Sequence, residues 1–114
     1  MKKVYSLIGI AQRAGKASSG VKAAAASIMK NQARMLLMSK DIALNSQDLL
    51  LKYCMKHNIP WITLGSRYDI GDSIGKEYRV AVTINDAGIA DAIMQAVTAA
   101  GMEAESMGVD EWQK

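Results

Sequence analysis

Residues 16–34 read KASSGVKAAAASIMKNQAR. The segment from Val21 to Met29 is rich in alanine, the strongest helix former, and carries no internal breaker. Lys30 and Asn31 follow it as helix stop signals, a cation and a residue that tolerates the left-handed conformation. Residues 16–19 are short and polar, enough for a brief strand or a loop. Beyond the helix, RMLLMS (34–39) is a continuous apolar run of the kind that fills a strand buried on both faces. A helix delivered directly into a doubly buried strand is the signature of a layered α/β domain. The helix start is unusual in its charge: it opens on two serines and a glycine, and Lys16, Lys22, Lys30 and Arg34 surround it without an acid.

Working outward, Val4, Leu7, Ile8 and Ala11 recur at helical spacing and predict helix 1 over 3–14, stopped at Gly15. Asn45 or Ser46 is placed to cap helix 3, whose inward stripe is Leu50, Tyr53, Cys54 and His57 and which ends at Asn58 and Pro60. WITLG (61–65) reads as a second buried strand. Ser66 with Asp69 three residues on predicts a capping box for a short helix 4. RVAVTI (79–84) is a third core strand, and Asn85 or Asp86 caps helix 5, with Ile89, Ile93, Ala96, Val97 and Ala100 inward and Gly101 closing it. Helices alternating with buried strands predict an α/β sandwich with helices on both faces of the sheet. Residues 1–101 form one domain on this reading, and 102–114 a polar, acidic, flexible tail carrying Trp112.

The chain has 114 residues, half of them apolar, and a net charge of +3. The distribution of that charge says more than its sum. The first forty residues hold Lys2, Lys3, Arg13, Lys16, Lys22, Lys30, Arg34 and Lys40 and no acid, whereas the tail holds Glu103, Glu105, Asp110 and Glu111 against Lys114. A basic block of this kind fits a polyanion, most simply nucleic acid; a solvated cationic face fits it equally well. Cys54 is the only cysteine, which excludes a disulfide framework and a cysteine metal cluster and suits a reducing, cytoplasmic setting. The N-terminal apolar run is interrupted at Gly9 and reads as an amphipathic helix rather than a targeting segment. No run approaches the roughly 18 apolar residues of a membrane span, so no membrane partner is expected.

Candidate chemistry is sparse. Residues 15–22, GKASSGVK, approach a phosphate-binding loop, but the lysine comes one residue late and Ala23 replaces the hydroxyl that would hold magnesium. The physical core survives: a helix N-terminus offers unpaired N–H groups and partial positive charge, Gly20 admits close backbone approach, and Lys16 and Lys22 add charge. That combination favours a nucleic-acid backbone over a nucleoside triphosphate. Asp41 follows a buried strand as a phosphoacceptor would, without the further carboxylates such a site needs. Cys54 and His57 share a helix face, but zinc wants at least three protein ligands, and a core thiol beside a terminal histidine is the simpler account. No enzyme, metal or cofactor is expected. The segment Lys76-Glu77-Tyr78-Arg79 is either a plain connection or a second wall beside helix 2, with Arg79 for phosphate and the Tyr78 ring for a base. Met29, Met35, Met38 and Met94 are expected in the core, which has no phenylalanine.

LIGIAQRAGKASSGVKAAAASI, ARMLLMSKDIALNS and YCMKHNIPWITLGSRYDIGDSIGKEYRVAVTINDAGIADAI, in this order, resemble the ribosomal protein L-seven-Ae/L-thirty-e superfamily, and within it the small bacterial YlxQ-like branch. The resemblance covers residues 4–99. It implies a three-layer α/β/α sandwich around a four-stranded mixed sheet and binding to kink-turn RNA, a bent internal loop with tandem sheared G·A pairs. It places the start of helix 2 in the widened groove at the kink. On this chain the family's glycine falls on Gly20, its first polar position on Lys22, its second on Ala23, and its later lysine on Ala26. Its second contact, the loop before the last strand, falls on Lys76, Glu77, Tyr78, Arg79 and Val80.

The expected function is thus a non-enzymatic, ribosomal-protein-like RNA binder acting on kink-turn or similarly bent structured RNA, with ribosomal RNA and ribosome association among the candidates. Its expected contacts are Arg13, Lys16, Ser19, Gly20, Val21, Lys22, Ala23 and residues 76–80. Ala23 and Ala26 lack the side chains that would read bases, so weaker or altered selectivity is expected. The alternative is a protein–protein adaptor on the same fold with weakened RNA affinity.

Overall fold

The computed structural model describes residues 2–100. The elements in chain order are α1 (Lys2–Arg13), β1 (Ala17–Ser19), α2 (Val21–Met29), β2 (Met35–Met38), α3 (Leu44–His57), β3 (Trp61–Thr63), α4 (Arg67–Ser73), β4 (Ala81–Ile84) and α5 (Ala87–Ala99). The expected tail and its Trp112, and the helix stop at Gly101, lie outside the described residues. Among the described residues, no helix is long and apolar enough to cross a membrane.

The strands form one mixed sheet in the order β1-β4-β2-β3. β4 runs antiparallel to both of its neighbours, and β2 and β3 are parallel. All four residues of β2 and of β4 are buried, which is why both read as unbroken apolar runs rather than as alternation. Their alternate side chains feed two separate cores. Met35, Leu37, Val82 and Ile84 pack with Val4, Ile8, Ile70, Ile93 and Val97 of α1, α4 and α5. Leu36, Met38 and Ala81 pack with Ala24, Ala25, Ile28, Leu50 and Cys54 of α2 and α3. The result is the expected three-layer sandwich.

The register defines two poles. Ser19 pairs with Val82, and Met38 with Ala81, at the entry of β4. Ala17 and Met35 both pair with Ile84 at its exit. The N-terminus of α2, Ser39–Asp41 and residues 75–80 therefore gather at one end of the sheet. The C-termini of α1, α2 and α3 gather at the other.

Local details refine the expectations. Residues 17–19 are a true edge strand, so the near-phosphate-loop segment is part of the sheet. Helix 3 starts earlier than its polar residues implied: its N-cap is Ala43, without a capping side chain, and Asn45 instead accepts the neighbouring Ser46 N–H within the first turn. Met29 is not in the core. It ends α2 on the outer side and is 48% exposed, whereas Met35, Met38 and Met94 are buried. Ala100 is exposed at the C-cap of α5 rather than inward; Ala90 and Met94 pack there with Ile93 and Val97.

Candidate nucleic-acid interface

Helix α2 is positioned by small residues. Ala24, Ala25 and Ser27 are buried with Ile28, and three short side chains let the helix lie close on β1 and β4. Its far half is pinned by Asn85, whose side-chain oxygen accepts hydrogen bonds from Ser27 Oγ at 2.8 Å and Thr83 Oγ1 at 3.0 Å. The Asn85 amide donates to Ser18 Oγ at 3.0 Å, tying β1, β4 and α2 together. From the sequence alone Asn85 is a candidate cap of helix 5; in the structure Asp86 fills that place. The signal that was available is a serine inside an otherwise apolar helix, which needs a polar partner.

The near half of α2 begins at Gly20, with φ 99° and ψ 154°. This region is essentially restricted to glycine. The Gly20 N–H donates to Ala81 O at 2.8 Å and its carbonyl accepts from Ala24 N at 2.9 Å, so the turn is fixed by the sheet. No side chain caps the helix, and its first turn holds no acid. The N–H groups of Val21, Lys22 and Ala23 are left to outside acceptors, and the space above Gly20 is open. Lys22 and Ala23 are exposed, while Val21 is half-buried against the α2–α3 core. Ala26 is half-buried.

Residues 75–80 form the second wall. Gly75 turns at φ 73°, and Lys76 N–H returns to Gly71 O at 2.9 Å. Gly71 is required here because the backbone of Tyr78 lies on it: a Cβ would sit 2.5 Å from Tyr78 Cα. The Arg79 guanidinium donates to Tyr78 O at 2.7 Å and reaches Ser19 Oγ at 3.4 Å. That contact joins the loop to the strand that delivers α2. Lys76, Glu77 and Tyr78 are exposed; Arg79 and Val80 are half-buried. The Tyr78 ring meets Tyr68 edge-on, with centroids 6.5 Å apart at 68°. Tyr68 was not among the expected residues, and its exposed place on α4 becomes meaningful only once the loop folds onto it.

Asp41 is a structural acid in this arrangement. It accepts from Arg67 N–H at 3.0 Å and Arg67 Nε at 3.3 Å, and its carbonyl accepts from Nη2 at 2.8 Å. Its carboxyl is held below the ordinary range, first by the nearby Ser39 hydroxyl and then by Arg67. Burial pushes the Cys54 thiol up to about 12, an inert core group. His57 Nδ1 meets Asn31 Oδ1 at 3.1 Å. No group of three or more potential metal ligands occurs among the described residues.

The structure thus brings together Ser19, Gly20, Val21, Lys22, Ala23 and residues 76–80. It does not bring Arg13 and Lys16 to them. Lys16 lies at the opposite end of β1, where its carbonyl accepts from Asn85 N–H. Arg13 folds back beside Gly9 in a groove between α1 and α4 that also includes Asp69, Asp72 and Ser73.

Residues 2–94 match the model of the Ribosomal protein L7Ae/L30e/S12e/Gadd45 family. The chain belongs to this family. It is 32% identical over 90 residues to the RNA-binding protein YlxQ of Bacillus subtilis (strain 168), covering 79% of this chain and 90% of that protein. Among solved structures, a protein of unknown function from Bacillus halodurans superposes with a TM-score of 0.81 at 28% identity, over 86% of this chain and 99% of the other. The Giardia lamblia 15.5kD RNA binding protein superposes with a TM-score of 0.69 at 13% identity, over 86% and 84%, a likeness of fold. The family membership and the YlxQ-like branch inferred from the sequence motifs are those found.

Proposed function

We propose that this protein is a non-enzymatic RNA-binding module that docks bent, kink-turn-like RNA against the N-terminus of α2 and residues 76–80. The observation that carries the reading is the uncapped, acid-free start of α2, fixed by Gly20 and bordered by Lys22 and the Arg79 guanidinium. Open N–H groups and a helix dipole suit a phosphate, and the second wall supplies Lys76 and a Tyr78 ring. The names of YlxQ and of the Giardia protein support RNA as the partner class.

Phosphate contacts position a protein and base-edge contacts specify sequence. Exposed Ala23 has no polar atom to offer a base, so recognition rests on backbone shape more than on sequence. A mobility shift with a kink-turn RNA and a straight duplex of equal length tests this: the kink-turn binds more tightly, and affinity falls steeply with salt as counterions are released. Equal, weak binding to both RNAs would remove the kink-turn assignment. Exposed Ala23 also motivates a second reading, a protein adaptor on the same scaffold. A partner that co-purifies after RNase treatment supports the adaptor.

A further inference from the structure

The acid-free first forty residues do not form one basic surface. The fold sends Lys22 and Lys40 to the pole of the α2 N-terminus and Lys16, Lys30 and Arg34 to the opposite pole. Backbone pairing fixes the second group. Asn85 N–H donates to Lys16 O at 2.8 Å, and Arg34 N–H donates to Ile84 O at 2.7 Å. Lys16 and Arg34 thus flank the exit of β4 on its two sides, with Cα atoms about 10 Å apart at ordinary strand spacing. Lys30 is the C-cap of α2, at the same pole. Lys56 lies in the last turn of α3, whose end is tied to the end of α2 by the contact between His57 and Asn31 at 3.1 Å.

Lys16, Lys30, Arg34 and Lys56 are all exposed. None takes part in an ion pair; the one recorded among the described residues is Arg67 with Asp41, at the other pole. The acid next to Asn85, Asp86, is occupied in capping α5 through Ile89 N–H at 2.9 Å. Cations at helix C-termini offset the helix dipole, which accounts for Lys30 and Lys56. It does not account for Lys16 and Arg34, which sit at strand ends. Between them the chain leaves β4 at the polar Asn85. The exposed methionines Met29 and Met55 adjoin Lys30 and Lys56 at the ends of α2 and α3, so the helix side of the pole carries apolar groups and its strand side is polar.

We propose that this pole is a second RNA-backbone site, one that grips the phosphates of a regular duplex without reading its sequence. A duplex carries one charge per about 1.7 Å of axis, so a strip about 10 Å wide faces several phosphates at once. The two sites lie at opposite ends of a sheet in a molecule 34 × 30 × 26 Å. One protein therefore holds a kinked element at one pole and a second RNA segment at the other. The assignment goes beyond the function proposed above and stands on different residues.

The test is a nuclear magnetic resonance titration of the full chain at low salt with a plain RNA duplex that has no internal loop. Amides at 16–17, 30–34 and 56–58 shift, while those of Val21, Lys22 and Ala23 stay in place. The double variant Lys16→Glu/Arg34→Glu, altered only at exposed side chains, loses at least tenfold in duplex affinity and keeps its kink-turn affinity within twofold. Absence of shifts at this pole, or duplex affinity unchanged in the double variant, overturns the proposal. Poly-glutamate moving the same amides as strongly as the duplex also overturns it, in favour of an acidic protein partner. Failure of kink-turn RNA to shift residues 21–23 sinks only the function proposed for the α2 start.

Discussion

Two helices begin at the same pole of this molecule and begin differently. At α4, Ser66 Oγ accepts from Asp69 N–H, and Asp69 reaches back to accept from Ser66 N–H at 2.9 Å. That helix start is answered by side chains of the protein itself: the capping box takes the Ser66 and Asp69 N–H groups, and Asp41 takes that of Arg67. At α2 the N-cap is Gly20, the first turn is Val-Lys-Ala, and no side chain answers the open N–H groups. α3 also lacks a capping side chain, but Asn45 takes one N–H of its first turn. The contrast teaches that capping was within the reach of this fold. An uncapped start, held rigidly by the sheet and approached by two cations, is a place where the missing acceptor comes from outside.

That contrast can be broken at several points, and the largest effect belongs to Lys22. Lys22→Glu places an acid at the open helix start. A lost charge-assisted contact costs about 1.5–3 kcal/mol, so kink-turn affinity falls ten- to hundredfold in a filter-binding titration. Lys56→Glu, at the other pole, leaves it nearly unchanged. Next comes Gly20→Ala. There is room for the methyl group, but the backbone conformation is foreign to alanine and costs about 1–3 kcal/mol, read as a lower urea midpoint. Ser66→Ala removes the satisfied cap and costs about 1 kcal/mol of stability, with kink-turn affinity kept within twofold.

The smallest effect is a pH dependence. Asp41 has a lowered folded pKa, so its pair with Arg67 contributes stability that is present above the ordinary carboxylate value, about 3.9. The contribution is lost as pH falls from there through the lowered folded value. It is a partly exposed pair, so the effect is below about 1 kcal/mol. Asp41→Asn flattens this leg of an acid-denaturation profile and leaves neutral-pH RNA binding in place.

Much of the fold was legible in the sequence because its signals are local. The runs 34–39, 61–65 and 79–84 are apolar without alternation because both sheet faces are covered, and Ser66 with Asp69 is a cap that needs no tertiary information. The start of helix 3 is less legible: Asn45 and Ser46 have capping chemistry, but the chain turns helical already at Leu44. Met29 looked like core because its residue type packs well, yet the small inward face of α2 leaves it outside.

The candidate site was legible in part. Gly20, Lys22 and residues 76–80 gather as expected, through the pairing of β1 with β4. Arg13 and Lys16 do not join them, since proximity in sequence says nothing about which end of a strand a residue occupies. Three residues of β1 are enough to carry Lys16 to the opposite pole. The Asn85 network and the Tyr68–Tyr78 contact were hidden for the same reason, as each joins residues from different elements.

The most direct measurement is an amide-resolved titration of the full chain with kink-turn RNA, comparing the two helix starts. The N–H signals of Val21, Lys22 and Ala23 move first and furthest, and those of Arg67, Tyr68 and Asp69 at the satisfied cap of α4 move less. Signals at α2 that stay fixed while the RNA binds elsewhere, or equal shifts at both helix starts, would contradict the account.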